Sequence, residues 1–186
     1  MVELTSLWLP ILLTGVALFF ASFLAWMVLP HHRKDWIGLP DEAGFNKAIG
    51  ELNVPAGNYM FPYCATPEEM KSPEYLERQK AGPNGLLQLW PGPCNMGKNL
   101  ALTFSLFLFV SFCLAYLATL GLQIGDEFMQ VFRFVGTAGV IVYAAGPVLN
   151  SIWFPRKIIG DILDGVAYGL ITGAIFAAMW PAGPTL

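Results

Sequence analysis

Four apolar stretches constrain this chain more than any other feature. They run roughly from Trp8 to Leu29, Leu100 to Leu122, Phe128 to Phe154 and Ile162 to Pro181. Each is long enough to cross a hydrocarbon layer of about 30 Å at about 1.5 Å per helical residue. Lipid offers no hydrogen bonds, so a spanning segment must satisfy its own backbone, and a helix does so. The expected fold is an all-α membrane protein. Four transmembrane helices form a bundle, and a small α/β-type cap (about 30–98) lies between helices 1 and 2. Residues 1–29 form the first transmembrane helix, 30–98 the extramembrane cap, and 99–186 the remaining three helices.

Charge supports this division. Charged residues make up 12% of the chain, about half the usual share of a soluble domain. Most of them fall between Pro30 and Lys98. No basic stripe accompanies them, so no nucleic-acid partner is expected. Glu3 is the one charge in the first seven residues, and the apolar run that follows exceeds a signal-peptide core. The first segment is therefore expected to be a retained spanning helix. Arg33, Lys34, Lys47, Lys80, Lys98, Arg156 and Lys157 all fall on the cap side of the spans. The excess of Lys and Arg on cytoplasmic loops predicts a cytoplasmic cap, with both termini outside. Trp8, Trp26, Trp36, Trp153 and Trp180 lie near span ends, where amphipathic rings anchor at the interface.

Within the cap, local signals are dense. Asp41 to Leu52 reads as a short amphipathic helix, with Phe45, Ala48, Ile49 and Leu52 on one face. Pro55-Ala56-Gly57-Asn58 is a turn, and Tyr59 to Tyr63 a short strand with Pro62 confining it to an edge. Thr66-Pro67-Glu68-Glu69 is a helix start with its cap, its proline and its glutamate in place. Ser72-Pro73-Glu74 restarts the helix, which runs to about Ala81, and Gly82-Pro83 stops it. Gly85 to Trp90 is a second strand, able to pair with the first as a ribbon.

Apolar burial cannot drive helix association in lipid, whereas close approach of small residues can. Gly165, Gly169, Gly173 and Ala177 recur every four residues along the fourth span. This glycine-zipper stripe predicts a helix backbone lying against it, most simply within the same chain. The third span offers Gly136 and Gly139. Its Pro147 is expected to kink the helix and free a carbonyl near Tyr143, with Asn150 or Ser151 as nearby donors.

Candidate polar sites are few. Asp161 and Asp164 open the fourth helix on one face, where carboxylates favour the helix dipole. They can pair with Arg156, Lys157, Arg33 or Lys98, or form with Asn150 and Tyr143 a polar or ion site at the membrane edge. Asn150, Ser151, Tyr143, Tyr168 and Thr172 can line a polar interior or bond between helices. His31, His32, Arg33 and Lys34 form a basic collar suited to lipid headgroups. A metal reading of the histidines recruits Cys64 and Cys94, whose spacing matches no zinc pattern, so no metal site is expected. Those two cysteines can alternatively form a disulfide, which requires an oxidising side. Cys113 lies mid-span as a small apolar residue.

No phosphate loop, metalloprotease helix, nucleophile elbow or dinucleotide fingerprint occurs. Asn150-Ser151-x-x-Phe154-x-Arg156-Lys157 precedes Ile162-x-Asp164-Gly165-x-x-Tyr168 and a Gly-rich helix ending at Trp180. With His31-His32-Arg33-Lys34-Asp35-Trp36-x-Gly38-Leu39-Pro40-Asp41-Glu42, this pattern resembles uncharacterised small four-helix bacterial inner-membrane proteins, a domain of unknown function. The resemblance implies topology and a bacterial inner (cytoplasmic) membrane, and brings no activity and no site residues. The expected function is a structural or accessory subunit of a larger membrane complex, with the bilayer and other membrane subunits as partners. The alternative is a small transporter or lipid-handling protein, and a membrane enzyme using Asp161, Asp164, His31 and His32 ranks third. No cofactor is expected beyond bound lipid.

Overall fold

The structure is a computed structural model that describes residues 2–183. Helix α1 (Trp8–Phe23) is preceded by a 3-10 turn at Leu4–Leu7 and followed by a π turn at Leu24–Val28. The cap contributes α2 (Glu42–Glu51), β1 (Gly57–Phe61), α3 (Pro67–Met70), α4 (Pro73–Ala81) and β2 (Gly85–Leu89). Three long helices follow: α5 (Met96–Gly121), α6 (Phe128–Trp153) and α7 (Ile159–Ala178). Four helical segments, Leu4–Val28 and α5 to α7, are long and apolar enough to span a bilayer. The chain is an integral, all-α membrane protein with a small two-stranded cap between its first two spans.

Two compact units result. One comprises Met1–Ile37 with Met96–Leu186, the other Gly38–Asn95. Residues 30–37 and 96–98 thus belong with the bundle, although their polarity placed them in the expected cap. Helix α5 begins at Met96, ahead of the apolar run, and carries Lys98 and Asn99 in its first turns.

The cap forms where short-range chemistry dictates. The Asp41 carboxylate accepts from Gly44 N–H at 2.9 Å to start α2. Thr66 caps α3 through Glu69 N–H, and Glu69 reaches back to Ala65 N–H at 2.8 Å. Ser72 caps α4 through Tyr75 N–H, and Gly82 ends it at φ +60°. Such caps satisfy backbone donors that a helix end leaves unpaired. The strands pair antiparallel, Gly57 opposite Leu89 and Phe61 opposite Gly85. Cys64 and Cys94 are not joined by a disulfide.

In the bundle unit, α7 lies against α6 along glycines from both helices. A Cβ on Gly165 would meet the Ala144 backbone at 2.8 Å, one on Gly169 the Val140 nitrogen at 2.4 Å, and one on Gly173 the Gly136 Cα at 2.8 Å. Ala177 is buried beside Phe176. The stripe's partner is therefore α6 of the same chain, and backbone-to-backbone approach replaces side-chain burial as the packing device. Leu7, Leu114, Val131 and Phe176, one from each span, fill the core toward one end. Leu18, Phe107 and Tyr168 fill it toward the other.

The two ends of the bundle differ. At one, Gly125 N–H bonds the Pro181 carbonyl and the Trp180 indole donates to the Gln123 carbonyl at 2.8 Å. At the other, the segment leaving α1 meets the α6–α7 connection, where Lys157 Nζ donates to the Lys34 carbonyl. His31, His32, Asp35, Asp161 and Asp164 gather at this second end.

Candidate functional site

The first span does not end as a regular α-helix. Leu29 N–H bonds the Leu24 carbonyl at 2.9 Å, closing a π turn. The chain then tightens through Pro30 to Asp35, with Arg33 N–H on the Pro30 carbonyl and Asp35 N–H on the His32 carbonyl. The extra residue in the π turn reorients the exit, and the following turn folds two imidazoles back over the start of α7.

Both rings converge on one carboxylate. His31 Nε2 lies 2.8 Å from Asp164 Oδ1, and His32 Nε2 lies 3.0 Å from Asp164 Oδ2. Tyr168, one helical turn on, donates its hydroxyl to Asp164 Oδ2 at 3.3 Å. His32 Nδ1 lies 2.6 Å from Asp35 Oδ2. The Trp26 indole stacks on the His32 ring at 3.9 Å between centroids and 4° between planes. Gly160 forms the floor: a Cβ there would stand 2.7 Å from His32 Cε1 and 2.9 Å from its Nδ1. His32 is 5% exposed and Asp164 9%, so the cluster is dry enough for its hydrogen bonds to matter.

The bonding pattern fixes protons. A neutral imidazole has one N–H and one lone pair, yet His32 faces carboxylates from both nitrogens. With both carboxylates ionised, His32 must carry two protons. Burial opposes that charge, but the hydrogen bonds and charges of Asp35 and Asp164 outweigh it, and the His32 pKa is raised above its ordinary 6.5. His32 is therefore held by a carboxylate on each side.

The sequence-predicted residues separate into distinct places. Asp161 pairs with Arg156, while Asp164 takes the histidines instead of a Lys or Arg. His31 is half-buried and His32 buried, both directed at Asp164. Arg33 and Lys34 remain exposed. Tyr143 packs its ring edge-on against Tyr168 at 5.9 Å, deeper than Asp164. Asn150 is exposed and stands apart. The reason is register: continuing the Gly165–Ala144 pairing brings Asn150 level with the first residue of α7, where no helix covers it. Ser151 donates to the Val148 carbonyl, not toward Tyr143. The Tyr143 hydroxyl and the Thr14 hydroxyl are buried without a hydrogen-bond partner among the described residues.

Sequence reasoning did not select Trp26, Asp35 and Gly160 for this cluster. Asp35 carried a signal, standing three residues after His32 on a turn. Trp26 and Gly160 carried none, since one passes for an interface anchor and the other for a helix-start glycine. Comparison with protein-family models, with curated proteins and with solved structures returns no match for this chain.

Proposed function

We propose that this integral membrane protein is a non-catalytic structural or accessory subunit of a larger complex in a bacterial inner membrane, with its cap in the cytoplasm and both chain ends outside. The observation that carries the reading is a polar face turned outward on α6. Gln130, Arg133 and Thr137 recur at helical spacing and are exposed. With Glu127, they line a groove of about 960 Å³ between the end of α5 and the first half of α6. Arg133 makes no ion pair among the described residues. An arginine at the centre of a spanning helix costs about 2.5–3.5 kcal/mol, and snorkelling near an end relieves part of it. A partner helix offering a carboxylate or amide would relieve the rest. The Lys and Arg residues flanking the spans on the cap side support the orientation, and exposed Arg33 and Lys34 suit anionic headgroups.

A photoreactive residue at Thr137, at native expression, tests this. Mass spectrometry should identify one recurrent membrane-protein adduct, and Arg133→Ala should abolish it. A lipid adduct alone would move the reading to lipid handling, and no adduct would sink both. A second reading, transport, draws on the unpartnered Tyr143 and Thr14 hydroxyls inside the bundle. It requires solute flux in reconstituted vesicles that Tyr143→Phe removes.

A further inference from the structure

We propose that His31, His32 and Asp164 form a binding site for a divalent first-row transition-metal ion at the membrane edge. The donor set comes first. Two imidazole nitrogens and a carboxylate oxygen lie within 4.8 Å of one another, His31 approaching Oδ1 of Asp164 and His32 its Oδ2. Two ligands each about 2.1 Å from a tetrahedral ion stand about 3.4 Å apart. The Nε2–carboxylate separations here are 2.8 and 3.0 Å. Admitting an ion therefore requires each pair to open by a few tenths of an ångström, well within the reach of side-chain torsions.

The surroundings fit the same occupant. A metal-ligating histidine usually donates its other ring N–H to a carboxylate, which fixes tautomer and ring orientation. Asp35 holds that position on His32 Nδ1. Nε2 is the ring atom directed at Asp164. An ion bound there would take the Nε2 lone pair, with Nδ1–H donating to Asp35. Stacked Trp26 and the bare Gly160 floor limit rotation of the His32 ring, so the site is largely preorganised. His31 keeps 23% of its side chain exposed, which leaves a way in from the membrane edge.

The donor chemistry sets the ligand class. Imidazole suits zinc, iron, cobalt, nickel and copper, whereas magnesium and calcium prefer all-oxygen shells. Three protein ligands leave at least one coordination position open to water or another ligand. The carboxylate comes from α7, 132 residues after His32, which is why the spacing of His31 and His32 to Cys64 and Cys94 gave no zinc pattern. This inference goes beyond the accessory-subunit reading and stands without it.

The test uses the full chain in detergent micelles, stripped with chelator and titrated with Zn(II) and, separately, Co(II). One ion per chain is expected, resistant to excess Mg(II), with a visible d–d band for Co(II). Asp35→Asn, which leaves all three ligands, should weaken Zn(II) binding about 10–100-fold. His31→Gln, altering a partly exposed side chain, should remove the Co(II) band while helicity and elution volume stay unchanged. Asp164→Asn should do the same, and if it fails to fold, His31→Gln decides. Absence of saturable binding overturns the proposal, as does binding that His31→Gln and Asp35→Asn leave at wild-type strength.

Discussion

Replacing Gly169 with alanine probes the contact on which the bundle turns. The new Cβ would stand 2.4 Å from Val140 N, 2.5 Å from its Cγ2 and 2.8 Å from its Cα. Non-bonded carbon contacts settle at about 3.5–4.0 Å, so α6 and α7 must separate by about 1 Å. Two of the three obstructing atoms are backbone, and no rotamer change clears them. A gap of that size forfeits a quarter to a half of each dispersion contact along the seam. Overpacking of this kind destabilises by about 1–3 kcal/mol, and a backbone clash belongs in the upper half of that range. Alanine's better helix propensity returns about 1 kcal/mol, leaving a net loss of about 1–2 kcal/mol. Gly146 of α6 is the control, because beyond its chain neighbours its Cβ would meet nothing within 4 Å. Gly146→Ala should be near neutral, because Pro147 crowds a Cβ on the residue before it and offsets the gain in helix propensity. Reversible unfolding in mixed micelles at increasing dodecyl sulfate, followed by circular dichroism, separates the two. If Gly169→Ala proves as stable as Gly146→Ala, close backbone approach is not what holds α7 to α6.

Three further outcomes follow from the site and the cap. Gly160→Ala places a methyl group against an imidazole pinned by Trp26 and two carboxylates; a loss of about 1–3 kcal/mol and faster acylation of His32 by diethyl pyrocarbonate are expected. Asp164→Asn, measured in chelator, strips one of the two carboxylate partners from buried His32. It should lower stability by about 2–3 kcal/mol in the same micelle assay, short of the 3–5 seen for fully buried pairs. Thr66→Ala and Ser72→Ala should each remove about 1 kcal/mol of cap stability, read as faster proteolysis between residues 60 and 85 while the spans stay intact.

The parts legible in the sequence are those governed by neighbours along the chain. Asp41, Thr66, Ser72 and Gly82 each act within a turn of their own helix, so the cap helices fell where these residues placed them. The ribbon followed from two short apolar runs between turn residues, although its first strand begins two residues earlier than Tyr59. The spans were legible because twenty apolar residues leave lipid as their surroundings. Their ends were less so: α5 starts at Met96 and α7 at Ile159, since a helix continues through polar residues until a backbone signal stops it. Hydropathy does not mark that point. What the glycines of α7 touch, and where Asp164 finds its partners, are tertiary facts. No periodicity links residue 32 to residue 164.

The polar cluster and the glycine seam are one construction seen from two sides. Asp164 and Gly165 are adjacent, so the seam that draws α7 against Ala144 also fixes how far the carboxylate stands from the α1 exit. The histidines then close the contact between α1 and α7 at the end where Tyr168 joins Leu18 and Phe107 in the core. A hydrogen-bonded cluster is suited to that position because it holds the helices without a large apolar area. What occupies the point between the rings and the carboxylate sets the separation of these side chains. A proton and a metal ion impose separations that differ by a few tenths of an ångström. Torsions of the His31, His32 and Asp164 side chains absorb that difference, so the seam and the exit of the first span keep their positions.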